Sequence, residues 1–390
     1  MNKLMKRGLA LLMVLVGVIG AAVMLDGAEF LRVTEVRDLG FPADHGGHPG
    51  YALEWWYYTG ALQGVGGERY GYQLTFFRVQ LSAEELRRES KWATREVLFA
   101  HFALTDINGR KFRYQQATGR PVLGLAGYST DTLDVAIGDW YARLDGKDML
   151  LHADGEDFAI DFRLTPTRPP LFHGDRGLSQ KGEEAGNANY YYSFTRLKTE
   201  GTLTVDGRPV RVTGMSWMDQ EWGSSNLSPN QRGWDWFSLR LSDGRDLMLF
   251  QIRDEEQNGV YFSGTLGDET GAVRTFGRGD FSVTATGYWT SRRSGARYPS
   301  GWRLEVPDAG INIEISPVLA DQELNTAGTT GVTYWEGLVS GSGKSGGRPV
   351  QAEGYVELTG YAPDGSGPPG AGSSALVIER ERAGEERKGE

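Results

Sequence analysis

A chain of 390 residues is long enough for two domains of roughly 100 to 200 residues, each with its own core. Hydrophobic residues make up 39% and aromatic residues 11%, which excludes disorder for most of the chain, and 41 basic against 51 acidic residues, a net charge of −10, argue against a nucleic-acid partner. The absence of cysteine removes disulfides, thiolate metal sites and cysteine nucleophiles together.

In chain order, Lys3, Lys6 and Arg7 precede an apolar run over residues 9–25, the charged and apolar regions of an export signal. Residues 1–27 are therefore expected to direct the protein to the periplasm or out of the cell. Either they are cleaved near Gly20, Ala21 and Ala22, or they stay as an inner-membrane tether, since seventeen residues lie near the lower limit for a span. From residue 50 the pattern is short β runs broken by Gly, Pro, Asn-Gly and Asp-Gly. Residues 70–80, 96–117, 201–217 and 236–253 each read as strands meeting at tight turns. Asn108-Gly109, Asp206-Gly207 and Asp243-Gly244 are the dipeptides that type I′ hairpins favour. Only residues 82–92 suggest a helix, with Ser82 as N-cap and Glu85 three positions on.

A weak repeat relates residues 55–78 to 234–253: an aromatic strand, a turn, then a strand that ends in Arg78 or Arg253. The expected fold is all-β, two tandem lipocalin-like antiparallel barrels over 40–205 and 206–362. Two jelly-roll sandwiches would give the same strand spacing. Beyond residue 362 the chain turns to Gly, Pro, Ser and charge, and residues 363–390 are expected to be a disordered tail.

The candidate chemistry lies in two stretches. In "DHGGHPGYALEWWYYTGAL" (44–62) alternation puts Glu54, Trp56 and Tyr58 on one face of a strand. Glu54 on an aromatic face is either ion-paired, with Arg78 as one partner, or raised in pKa as a site carboxylate. His45 and His48 sit in a Gly-rich loop with no second ligand cluster, so no metal is indicated. In "GMSWMDQEWGSSNL" (214–227), Trp217, Asp219 and Glu221 share a face, the carboxylates about 7 Å apart by strand geometry. They are candidate acid and base, or salt-bridge partners of Arg211 or Arg240. Asp219, Glu221 and Glu54 are thus the catalytic candidates, expected to share one pocket with His45. Trp56, Tyr58, His101, Trp217, Trp222, Trp234 and Trp236, with His45, are the candidate ligand-binding residues; His101 lies on an otherwise apolar face and reads equally as a satisfied core histidine. No Gly-x-Ser-x-Gly elbow, P-loop, dinucleotide fingerprint or His-Glu-x-x-His occurs, so no cofactor is indicated.

The stretches "EWWYYTGAL", "YGYQLTFFR", "HGDRGLSQKG", "YYYSFTRL", "SWMDQEWGS", "GWDWFSLRLSDGRDLMLFQIR" and "GYVELTGY" occur in this order, and over about residues 40–361 the chain resembles the AttH-like family. That family groups exported bacterial proteins, often labelled secreted hydrolases, with the carotenoid 1,2-hydratases. The resemblance implies two lipocalin-like domains. For the hydratase branch it implies cofactor-free addition of water to an isoprenoid double bond, with Asp219 at the position of the family's acid and Trp217, Trp222, Trp234 and Trp236 as cation-stabilising rings. That branch carries His on both sides of the matching Asp, where this chain has Met218 and Gln220.

Three functions follow as expectations: a barrel that binds a hydrophobic small molecule such as a lipid or isoprenoid, with or without modifying it; a hydro-lyase of the carotenoid hydratase type; or a carbohydrate-binding or carbohydrate-active hydrolase. Enclosed aromatic rings favour the first two, and rings in an open groove the third. The sequence names no protein partner.

Overall fold

The computed structural model describes residues 29–84, 90, 93–224, 227–228 and 230–362. The expected leader (1–27), the tail beyond 362 and most of the expected helix (82–92) lie outside those residues. Ser82 does accept the Glu84 N–H, at 3.1 Å.

Apart from two three-residue 3-10 turns, Ala43–His45 and Pro307–Ala309, every described element is a β-strand. Thirteen strands form the first sheet, and its central run in space is Lys111–Gly119, Glu96–Asp106, Arg69–Gln80, Leu53–Gly64, Arg208–Gly223, Ala188–Val205 and Ala159–Pro166. Ten strands form the second, with the central run Gly259–Gly267, Asp246–Arg253, Gly233–Leu241, Arg348–Leu358, Thr333–Ser345 and Ile311–Pro317. Both are strongly curved antiparallel barrels of the lipocalin-like kind.

The repeat seen in the sequence is structural. In each half the aromatic opening strand (Leu53–Gly64 or Gly233–Leu241) lies between its hairpin partner and the last strand of the sheet. Each half also closes its inner face with a buried acid and arginine: Arg78 Nε donates to Glu54 at 3.1 Å, and Arg253 Nε donates to Asp235 at 2.9 Å. Both arginines are essentially inaccessible and need acids to avoid an uncompensated buried charge; Arg78 has a second one, Glu96, at 3.1 Å.

Two turns correct the sequence reading. Asp206 (φ 50°) and Gly207 (φ 71°) adopt the expected type I′ geometry. At 107–110 the positive φ belongs to Arg110 instead, and at 243–244 only to Gly244. Side chains decide this: Asp106 captures the Gly109 N–H at 2.8 Å, and Asp243 captures the Arg245 N–H at 3.1 Å. The domain boundary also moves. The turn at residue 206, expected to join two barrels, joins two strands of the first sheet, and the chain changes sheet between Gly223 and Gly233. An Asp-Gly turn looks the same in either setting, so the dipeptide carried no boundary information.

The interiors of both barrels are packed with side chains. Trp56, Tyr58, Tyr72, Phe76, Phe102 and Trp222 fill the first, and Phe237, Leu249, Trp302, Ile313, Trp335 and Val356 the second. A third cluster, including Tyr57, Tyr191, Trp217, Trp236, Phe250 and Leu338, joins the outer face of the first sheet to the second.

Candidate functional site

Strand alternation divides the sequence candidates between two places. Glu54 is the cross-strand partner of Trp222 and of Arg78, so all three point into the first barrel. The next pairs along, Trp55 with Glu221 and Tyr57 with Asp219, point the other way, toward the second sheet.

Inside the first barrel, Glu54 accepts Arg78 Nε at 3.1 Å and lies 2.7 Å from His48 Nδ1, while Gln220 Nε2 donates to it at 3.1 Å. His48 reaches Asp44 with its other nitrogen at 3.0 Å and stacks on Trp222 with ring centroids 3.8 Å apart. Arg37 also bonds Asp44. Although burial opposes charging of both groups, this network raises His48 above the ordinary histidine range and lowers Glu54 below the ordinary carboxylate range. Asp44 is likewise lowered, to about 2, its hydrogen bonds from His48, Gly40 and Arg37 outweighing its own burial. His45 is pushed down to about 4 by burial, and its Nδ1 lies 2.6 Å from the Tyr192 hydroxyl. The expected pocket shared by Glu54, His45, Asp219 and Glu221 is therefore not formed: the first two belong to a saturated ion network on one face, and the other two lie on the opposite face. Trp56, Tyr58 and Trp222 go with Glu54 as core.

The seam between the sheets gathers the rest. Asp219 accepts from the Tyr191 hydroxyl at 2.7 Å, from Trp217 Nε1 at 2.5 Å and from the Ser193 hydroxyl. Trp236 Nε1, from the second sheet, donates to the Tyr191 oxygen at 3.0 Å. Behind Ser193, His173 Nε2 lies at 2.6 Å, and its Nδ1 lies 3.0 Å from Thr265. Burial, aided by the Lys181 charge, holds His173 well below its usual range, so it is neutral with one donor and one acceptor nitrogen. Glu221 is tied to Lys181 at 2.7 Å and to Asn189 at 2.7 Å. Neither Arg211 nor Arg240 serves these carboxylates: Arg211 bonds Thr202, and Arg240 faces Glu353.

Burial raises Asp219 from 3.8 to about 7, prevailing over the three donated hydrogen bonds that pull it down; repulsion from Glu221 adds to the rise. When Asp219 is ionised all three partners donate to it; when it is protonated, the Ser193 or Tyr191 hydroxyl can turn to accept from it.

Four seam residues were not among the sequence candidates. Tyr57 and Tyr191 were concealed by the two-sided aromatic pattern of their strands. Glu336 and Glu357 face each other directly on adjacent strands of the second sheet; burial raises both, with repulsion from Glu357 adding to it at Glu336 and repulsion from Asp219 and Glu221 at Glu357. Their signal was readable: each is a lone carboxylate in a run of apolar and aromatic residues, "YWEGLV" and "YVEL". Trp234 donates to Glu357, and both Trp234 and Trp236 flank the seam. His101 also faces the second sheet, but its nitrogens lie 2.9 Å from Tyr334 and 2.9 Å from Thr329, and burial lowers it to about 3. It is a satisfied neutral histidine. A separate open groove of about 570 Å³, lined by Ala117, Val122, Leu125, Ile137 and Trp140 among others, contains none of these groups.

A family model described as AttH-like matches residues 32–361. The chain belongs to the AttH-like family. A crystal structure of a Nitrosomonas europaea protein assigned to AttH is 35% identical, covers 85% of this AttH-like chain and 100% of its own, and superposes with a TM-score of 0.77. Kievitone hydratase of Nectria haematococca shares the fold at 18% identity and a TM-score of 0.65, covering 86% of this chain and 97% of its own. The lipoarabinomannan carrier protein LprG of Mycobacterium leprae is 34% identical over 130 residues, 31% of this chain and 50% of that protein. This AttH-like chain thus spans half the length of that relative. Met218 and Gln220, where carotenoid hydratases carry His, point into the first barrel, so that departure lies on the face opposite Asp219.

Proposed function

We propose that this protein binds a largely apolar small molecule in the seam between its two barrels and protonates it there without a cofactor, in the manner of a hydro-lyase. Asp219 is the proton donor. The observation that carries the reading is a carboxyl group that burial, against three donated hydrogen bonds, lifts to about 7 inside an aromatic enclosure. Protonating a double bond makes a carbocation. Trp217, Trp236, Tyr57 and Tyr191 place electron-rich rings around the acid, and cation–π attraction in a desolvated site contributes about 2 kcal/mol or more.

The seam is preferred to the first barrel's lumen because the raised Asp219 carboxyl faces it, whereas the Glu54 carboxylate in that lumen is held ionised by Arg78 and His48. The carbohydrate reading has less support: Glu221, the partner such chemistry would use beside Asp219, is occupied by Lys181 and Asn189. The hydratase name of one fold neighbour and the lipoglycan cargo named for the carrier relative both favour an apolar or amphiphilic ligand. We read residues 1–27 as export machinery, which puts that ligand in the periplasm or at the inner membrane.

The test is organic extraction and mass spectrometry of the full chain purified from its native envelope, followed by incubation of the extracted molecule with the protein in deuterated water. A reproducible isoprenoid or acyl lipid that gains deuterium at carbon is expected. Asp219→Asn should slow the incorporation about 10²-fold or more. Recovery of sugars, recovery of nothing, or turnover that survives Asp219→Asn defeats the reading.

A further inference from the structure

The seam holds a second carboxyl group system that the proton donor alone does not use. Glu336 is 2% exposed, and Glu357, its direct cross-strand neighbour, keeps part of its surface accessible. Side chains directly opposite on antiparallel strands stand about 4.5–5.5 Å apart at Cβ, so ionising both carboxyl groups without a compensating cation is costly. No cation is among the groups that act on either one.

The pseudo-repeat sharpens the contrast. In the first half the register runs Trp55, Glu221, Tyr191 across three strands; in the second it runs Trp236, Glu357, Glu336. Glu357 therefore occupies the position of Glu221, and Glu336 that of Tyr191. The first half gives its glutamate Lys181; the second gives its glutamate another carboxyl group. A further, independent observation points to a bound group. The Tyr57 hydroxyl and Glu336 Oε1 are both buried, the hydroxyl lies against the Glu336 carboxyl without reaching good hydrogen-bond geometry, and the charges that act on Tyr57 are those of Glu336, Glu357 and Asp219. Buried, unpaired polar atoms that converge on one place are what a water or an alcohol oxygen would satisfy.

We propose that Glu336 and Glu357 share one proton and that, with the Tyr57 hydroxyl, they hold and deprotonate the water that adds to the ligand. This rests on the acid role of Asp219 stated above. The Asp219 proton forms a C–H bond as the π bond opens, which leaves a carboxylate and a carbocation. The water oxygen forms the C–O bond and one of its protons passes to the ionised member of the pair. The product is an alcohol. One proton has moved from Asp219 to the pair, and its return restores the starting state with no oxidant or reductant.

The groups that face the pair are Tyr57 on Leu53–Gly64, Asp219 and Glu221 on Arg208–Gly223, Trp234 on Gly233–Leu241, and Tyr334 and Tyr355 on the pair's own strands. Of these, only the carboxyl groups titrate below the tyrosine range. The test needs no ligand: the full chain, ¹³C-labelled at the glutamate side-chain carboxyl, is titrated by infrared or carbon NMR spectroscopy.

One glutamate step is expected above about pH 6, clear of the ordinary range near 4.3. Glu336→Gln should lower the midpoint of Glu357 by about one pH unit or more, and Glu357→Gln should do the same for Glu336. Glu353→Gln, on the same strand, should move neither. If every glutamate in the wild-type chain titrates below pH 6, or if either Gln variant leaves the other midpoint unmoved, the shared proton is refuted whether or not the protein turns anything over. If the pair titrates as expected but Glu357→Gln leaves kcat and its pH profile unchanged with the extracted molecule, the water-holding role fails while the Asp219 reading stands.

Discussion

Asp219 of the first barrel is linked to Trp236 of the second through a single atom, the Tyr191 oxygen, which donates its proton at 2.7 Å and receives the indole N–H at 3.0 Å. Tyr191→Phe removes an acceptor from one buried group and a donor from the other. An unpaired buried donor costs about 1–3 kcal/mol, so denaturant unfolding should show a loss of that size. The carboxyl of Asp219 should move above its present value near 7, because one of the hydrogen bonds holding it down is gone. A variant as stable as the wild type would mean that the link is not made.

Asp219 also sets a pH dependence of stability. The unfolded chain releases this proton near 3.8 and the folded chain near 7, so between those values the folded state holds the extra proton. Stability from this group is therefore lost as pH rises from about 4 to 7 and is level above that, a total on the order of 4 kcal/mol. Thermal unfolding of Asp219→Asn across that window should show a flatter slope than wild type. An unchanged slope would rule out the raised carboxyl.

His101 works in the opposite sense. Its folded pKa is lowered to about 3 against 6.5 unfolded, so its stabilising contribution is complete above pH 6.5 and is lost as pH falls toward 3. At pH 5 the loss amounts to about 2 kcal/mol. His101→Gln keeps polar contact with Tyr334 and Thr329 and should lose less stability between pH 7 and 5 than wild type does.

Asp235→Ala should leave the buried Arg253 guanidinium without its acid and cost about 3–5 kcal/mol in chemical unfolding; Glu54→Ala leaves Arg78 paired with Glu96 and should cost less. Because both acids sit on the inner faces of their barrels, neither change should shift the Asp219 titration. A shift would show that the two faces are electrically coupled, against the division made by strand alternation.

The all-β class, the strands and the repeat of an aromatic strand with one ending in Arg were legible along the chain, because alternation and turn chemistry are local; that Asp235 pairs Arg253 was not. Alternation also placed Asp219, Glu221 and Trp217 together. It could not say that Glu54 lies across the sheet from them, since that depends on the cross-strand register of Leu53–Gly64 with Arg208–Gly223. The same non-local information was lacking for His45, whereas alternation by itself puts Trp222 on the face opposite Asp219.

By itself the sequence determined an all-β chain in two halves and placed Asp219 and Glu221 on one aromatic face of a strand; the barrels followed from the family resemblance. Only the tertiary structure decided that the Glu54 carboxylate is discharged by Arg78 and His48 while Asp219, Glu336 and Glu357 meet in a seam where Lys181 is taken by Glu221. The reason is physical: whether a buried carboxyl is ionised depends on which charges fold to within a few ångströms of it, and that is set by how the strands pair and pack.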